Sequence, residues 1–205
     1  SSEENQKRIK EIQTNNLKLS DPRATSEDEA KRIIELNPSI VWIGYGIHGD
    51  ELSSVDAAMQ IVYQLAAGVD EATTKVLNEL VICLDPMENP DGRERWLSQM
   101  QQWGGAVENS DAQSMAHSGT WPWGRGNHYL FDLNRDWFMM VNIENQNRIR
   151  TLFQWFPQVL IDSHEMGSFD TYLFSPPREP LNPNVPLQIK KWWKKFADDQ
   201  ATSFD

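Results

Sequence analysis

Three short, unbroken apolar runs constrain this chain more than any other feature: "SIVWIGYG" from Ser39, "LVICLDP" from Leu80 and "QVLIDSHE" from Gln158. A strand with one face in water alternates apolar and polar residues, whereas a continuous run of this length belongs to a strand covered on both faces. Helical patterns fill the spaces between the runs. "EENQKRIKEIQTN" (3–15) spaces Ile9 and Ile12 as a solvent-facing helix does. Ser26, three residues before Glu29, forms a capping box for a second helix that ends at Asn37-Pro38. "SSVDAAMQIVYQLAAG" reads as a helix stopped at Gly68, and a further helix is expected over about 70–78. "ENPDG" reads as a turn before a Trp-bearing helix over 93–103. Residues 104–127 lack periodicity, "HYLFDLN" suggests a short strand or extended segment, and "NIENQNRIRTLFQWF" is an amphipathic helix halted by Pro157. A last helix is expected from about Leu187, after the Pro-rich "SPPREPLNPNVP".

Buried strands alternating with helices predict an α/β fold: a mainly parallel (mixed) twisted sheet with helices on both faces. In such sheets functional groups gather beyond the carboxyl ends of the strands. His48, Glu51, Asn89–Gly92 and His164 all fall there. The length of 205 residues suits one domain, divided in this reading into an N-terminal helical segment (1–38), a motif-bearing core (39–176) and a Pro-rich segment with a helix (177–205).

Composition removes some functions. A net charge of −11, from 19 basic and 30 acidic residues, argues against a nucleic-acid or anionic-membrane partner. No apolar run approaches the roughly 20 residues of a membrane-spanning helix. The single cysteine, Cys83, lies inside an apolar run, which makes it a small core residue and excludes a disulfide framework or a cysteine-rich zinc site. A lone cysteine and a start without Met lean toward a secreted or periplasmic protein whose signal has been removed, with a cytoplasmic location as the alternative.

His48 and Glu51 stand three residues apart where a strand gives way to a helix. Zinc accepts imidazole nitrogen and carboxylate oxygen at about 2.0–2.2 Å. Taken alone, however, such a pair is more often a turn histidine beside a helix-capping acid. A catalytic zinc needs three protein ligands, and His164, from a different strand but the same sheet edge, is the natural third. His117 and His128 share no such geometry and read as surface or supporting residues.

"IHGDE", "NPDG", "DLNRDW" and "DSHE" occur in an order and at a spacing that resembles the zinc carboxypeptidase superfamily, carboxypeptidase A-like. The resemblance implies that His48, Glu51 and His164 hold one Zn²⁺ per chain. It implies that Asn134 and Arg135 grip the terminal carboxylate of a peptide, where a planar guanidinium offers a bidentate fork. It further implies that Asp132 buttresses the first zinc histidine. An oxyanion-stabilising arginine is also expected; Arg125 is the first choice, with Arg93 and Arg95 as rivals. The family's general-base glutamate and its capping tyrosine have no match before Asp205. The chain therefore reads as an internal part of the catalytic domain, truncated at both ends and inactive by itself.

The function implied is metallocarboxypeptidase hydrolysis of a C-terminal peptide bond by metal-activated water. The partner would be a peptide or peptide-like substrate with a free carboxylate. Two alternatives stay open: a zinc-dependent amidohydrolase or deacylase acting on a small acyl-amino acid, and a non-catalytic zinc or peptide-binding module.

Overall fold

The structure, a computed structural model, describes residues 1–167 and 177–204. It comprises two compact units, 1–165 and 166–205, each described separately below. Residues 168–176, the last part of the expected motif-bearing core, lie outside the described residues.

The three apolar runs are strands β1 (Ser39–Tyr45), β2 (Leu80–Asp85) and β3 (Val159–Ser163). They form one parallel sheet in the order β2-β1-β3. The central strand β1 pairs Ser39 with Leu80 on one side and Val41 with Val159 on the other. Bonding on both edges and burial of Ile40, Trp42 and Tyr45 account for the continuous apolar spelling of β1. β3 differs from the fully buried strand expected: Leu160 and Ile161 are 46% and 44% exposed, because among the described residues β3 lies at the edge of the sheet.

Helices precede and connect the strands: α1 (Glu3–Lys7), α2 (Ile9–Ser20), α3 (Glu27–Leu36), α4 (Leu52–Ala67) and α5 (Glu71–Glu79). The expected single helix over 3–15 is broken at Arg8, whose backbone (φ −112°, ψ 18°) leaves the helical region. Nor is it wholly solvent-facing. Ile12 is fully buried against Ile40 and Val81, with Ile9, Cys83 and Trp155 around them. Burying Ile12 and Ile40 contributes about 1.5–3 kcal/mol each. Burial also pushes the Cys83 thiol up to about 11, which suits an inert core cysteine. Half of the capping box at α3 forms: Ser26 Oγ accepts from the Glu29 amide, while the Glu29 carboxylate accepts from Lys18 Nζ instead.

Two expectations fail for identifiable reasons. The "ENPDG" segment is the first turn of α6 (Pro90–Trp103) rather than a separate turn: Asn89 caps it by accepting from the Gly92 amide, and proline occupies the first turn, where its missing N–H costs nothing. "HYLFDLN" forms neither a strand nor a regular extended segment. Asn127 Oδ1 accepts from the amides of both Tyr129 and Phe131, so the side chain takes bonds a ladder would need, and Leu130 is left-handed (φ 67°). The segment ends in a 3₁₀ turn over Leu133–Arg135. The long stretch before it contains one short helix, α7 (Met115–Ser118). Next comes α8 (Ile143–Trp155), and the second unit carries α9 (Leu187–Phe204), with exposed Lys194–Asp198 and Lys195–Asp199 pairs along it.

Two glycines shape the turn after β1. Gly46 adopts φ +66°, a left-handed conformation that favours glycine. Gly49 makes room: a Cβ there would lie 2.1 Å from the Arg93 nitrogen and 2.7 Å from the Gly124 oxygen, both backbone atoms that cannot swing aside. Gly49→Ala is expected to lower stability by about 1–3 kcal/mol, measured by urea denaturation. An unchanged midpoint would mean that the turn after β1 tolerates a side chain.

Candidate metal centre

The carboxyl ends of β1 and β3 deliver the two histidines. The turn from Tyr45 to Gly49 is knitted to the start of α6: the Glu88 amide donates to the Tyr45 carbonyl at 2.9 Å, and the Asn89 amide donates to that of Gly46 at 3.1 Å. The Asn89 side chain donates to the Ile47 carbonyl at 3.2 Å, and the Gly49 amide to that of Gly124 at 2.9 Å. His48 is thereby held almost wholly buried, 3% exposed. Glu51 begins α4, and the pairing of Tyr45 with Ser163 sets His164 alongside.

One carboxylate faces both imidazoles. Glu51 Oε1 lies 2.7 Å from His48 Nδ1, and Glu51 Oε2 lies 3.1 Å from His164 Nδ1. The ring centroids are 5.0 Å apart, and the three candidate ligand atoms all lie within 4.8 Å of one another. Two imidazoles and a carboxylate are a donor set that suits zinc. The outward nitrogens meet carboxylates too: His48 Nε2 is 3.2 Å from Asp132 Oδ1, and His164 Nε2 is 3.0 Å from Asp162 Oδ2. A carboxylate behind each ring favours the tautomer with hydrogen on Nε2, which leaves Nδ1 as the donor toward a metal.

The same contacts pair His164 and Glu51 as opposite charges, so a metal arriving at Nδ1 of His164 would displace a proton from it. Burial works to raise the Glu51 carboxyl, but hydrogen bonds with His164, His48 and the Glu165 amide outweigh it and hold the group down at about 2. Hydrogen bonds to Asp162 and then Glu51 raise His164 to about 10. Burial likewise opposes ionisation of Asp132, and the neighbouring Arg125 and His48 reverse the effect, so its pKa is lowered.

The three candidate arginines separate clearly. Arg125 donates to Asp132 Oδ2 through Nε at 2.9 Å, and its Nη1 lies 3.4 Å from His48 Nδ1, on the metal-facing side of the ring. Arg93 instead ties α6 to α4 through the Leu52 carbonyl and Asp56. Arg95 donates to the carbonyls of Trp123, Gly126 and Asn127 and pins the loop that precedes the 3₁₀ turn. Asn134 reaches the cluster: its Nδ2 lies 3.2 Å from His164 Nε2, while its Oδ1 accepts from Trp137 Nε1 at 2.9 Å. Arg135 is exposed and donates to the Asn134 carbonyl. His117 and His128 lie apart from this group, His128 against the Tyr129 ring.

Several contributors escaped the sequence reading. Asp162 shares a strand face with His164 by the two-residue period of β3, a signal that could have found it. Trp137 orients the Asn134 amide, and Glu165 contacts the start of α4; neither follows from local pattern. Beneath them, buried Asp136 accepts from the Val141 and Asn142 amides and from the Asn145 side chain, holding the 3₁₀ turn against α8.

Among the described residues no helix is long and apolar enough to cross a membrane. The chain matches no curated protein. The zinc carboxypeptidase family matches it over residues 10–157, a span that includes His48, Glu51 and the Asp132–Trp137 segment and ends shortly before His164. With more than half of its 205 residues matched, this chain belongs to the zinc carboxypeptidase family.

Proposed function

We propose that the chain is the metal- and carboxylate-holding part of a metallocarboxypeptidase, which hydrolyses the C-terminal peptide bond of a peptide. The observation that carries this reading is the convergence of His48 Nδ1, His164 Nδ1 and the Glu51 carboxylate on one point at the carboxyl ends of two parallel strands, in a chain of this family.

His48, Glu51 and His164 would hold the zinc. Bound there, zinc polarises a carbonyl and lowers the pKa of water. The remaining work falls to protein groups. Asp132 and Asp162 accept the Nε2 hydrogens and keep each imidazole turned with Nδ1 inward. Arg125, its guanidinium braced by Asp132, sets its Nη1 beside His48 Nδ1, where negative charge on an oxygen would be stabilised. Trp137 fixes the Asn134 oxygen, so that the amide NH₂ is the face turned toward His164, and the exposed guanidinium of Arg135 lies next to this residue. Together they form a clamp for a terminal carboxylate.

Four carboxylates around the centre are committed to holding it: Glu51 between the histidines, Asp132 with His48 and Arg125, Asp162 with His164, and Glu165 with Ser53. The 205-residue chain is expected to bind zinc and peptide yet cleave near the background rate.

A binding experiment tests the substrate class. The zinc-loaded chain should bind a peptide with a free C-terminal carboxylate more tightly than the same peptide amidated. Arg135→Ala should remove about 1.5–3 kcal/mol of that preference, the range for a hydrogen bond to a charged group. Equal binding of both peptides by the unsubstituted chain would contradict the reading, as would rapid turnover in the absence of any further glutamate.

A further inference from the structure

Glu51 occupies the N-cap of α4, yet its side chain makes no hydrogen bond to the helix it caps. Its two oxygens are directed at His48 and His164 instead. The first amides of a helix have no partner within it and are normally met by the N-cap side chain. Here that task passes to a residue more than a hundred positions away. Glu165 Oε2 accepts from the Ser53 amide at 2.8 Å and from Ser53 Oγ at 2.6 Å. In the reverse direction, the Glu165 amide donates to Glu51 Oε2 at 2.8 Å.

We propose that Glu165 is a positioning residue for the metal centre: it caps α4 in place of Glu51 and so keeps the Glu51 carboxylate turned toward the cation. The inference rests on the zinc-ligand reading of His48, Glu51 and His164. Its physical content is a competition. A carboxylate at an N-cap is drawn toward the open amides of its own helix, because those amides and the helix dipole favour negative charge there. Glu165 satisfies the Ser53 amide first, which removes the competing attraction. Its own amide then holds one Glu51 oxygen in the orientation that meets His164. Because Glu165 directly follows His164 in sequence, the same contact also ties the end of β3 to the start of α4, and the two halves of the ligand set are fixed to one another.

The test is zinc affinity of the full 205-residue chain, measured by competition with a chromophoric chelator, alongside the visible spectrum of the cobalt(II)-loaded chain. Glu165→Ala should weaken zinc binding about 10–100-fold, as loss of a residue that orients a ligand does, and should alter the cobalt spectrum. Glu165→Gln keeps an oxygen that can accept from Ser53 and should restore most of the affinity. Ser53→Ala added to Glu165→Ala should cause no further loss. Wild-type affinity and spectrum in Glu165→Ala would overturn the proposal, as would a Glu165→Gln chain that folds and binds no better than the alanine variant. If the unsubstituted chain binds no zinc, the ligand assignment itself fails and takes this inference with it. If that chain binds zinc and Glu165→Ala binds equally well, only the positioning role falls.

Discussion

Replacing His48 or His164 by alanine should abolish stoichiometric zinc binding, read as metal content after gel filtration. The expectation follows from how few donors the site has. Among the described residues His48, Glu51 and His164 are the group whose ligand atoms converge, and each histidine is one of three. The carboxylates behind them cannot substitute, since Asp132 is engaged by Arg125 and by the far nitrogen of His48, and Asp162 by the far nitrogen of His164. Asp132→Ala should weaken binding by a smaller factor, about 10–100-fold, because the ring it orients remains present. Full zinc retention in both histidine variants would remove the site.

The largest loss of stability should come from Arg148→Ala. Arg148 and Glu88 form an ion pair whose side chains are only 4% and 3% exposed. The guanidinium also lies 4.1 Å above the Trp137 ring and donates to Asn145 Oδ1 at 2.6 Å. Asn145 in turn donates to the Leu133 carbonyl at 2.8 Å, so the pair underlies the turn that presents Asn134 and Arg135. Removing the guanidinium leaves the Glu88 carboxyl buried without its partner, which costs about 3–5 kcal/mol where that carboxyl is ionised. Glu88→Gln, which keeps an acceptor, should cost less.

The pH dependence has a definite sign. Burial pushes the Glu88 carboxyl up to about 8 from its ordinary 4.5, with Arg148 opposing the rise. A carboxyl whose pKa is raised by folding holds its proton more tightly in the fold than in the unfolded chain. That stabilisation is complete below about pH 4.5 and is lost as pH climbs toward about 8. Without Arg148 nothing opposes the rise. The deficit of Arg148→Ala relative to the unsubstituted chain should therefore be larger at pH 8 than at pH 5, as measured by urea denaturation. An equal deficit at both would contradict the role given to the pair.

What the sequence made legible follows from which forces leave a local trace. Runs such as Ser39–Gly46 announce buried strands because burial on both faces demands apolar residues at every position. The order of "IHGDE", "NPDG", "DLNRDW" and "DSHE" then singled out His48, Glu51 and His164, whose side chains the fold brings together. Long-range polar contacts left no such trace. Asn127 replaces a strand by accepting from Tyr129 and Phe131, Asp136 anchors a turn to α8, and Glu165 caps a helix that begins at Leu52. Asn, Asp and Glu read locally as solvent-facing residues, so only the folded chain reveals these pairings. Ile12 makes the same point from the apolar side. Its helix reads as mostly polar and solvent-facing, yet Ile12 is fully buried in the core.

X-ray absorption at the zinc edge of the zinc-loaded 205-residue chain tests the central claim most directly. The account predicts two imidazole nitrogens at about 2.0–2.1 Å and carboxylate oxygen at about 2.0–2.2 Å, with no sulfur. One imidazole should disappear from the signal in any metal retained by His48→Ala or by His164→Ala. A first shell of oxygen alone, or an imidazole signal that survives replacement of both histidines, would contradict it.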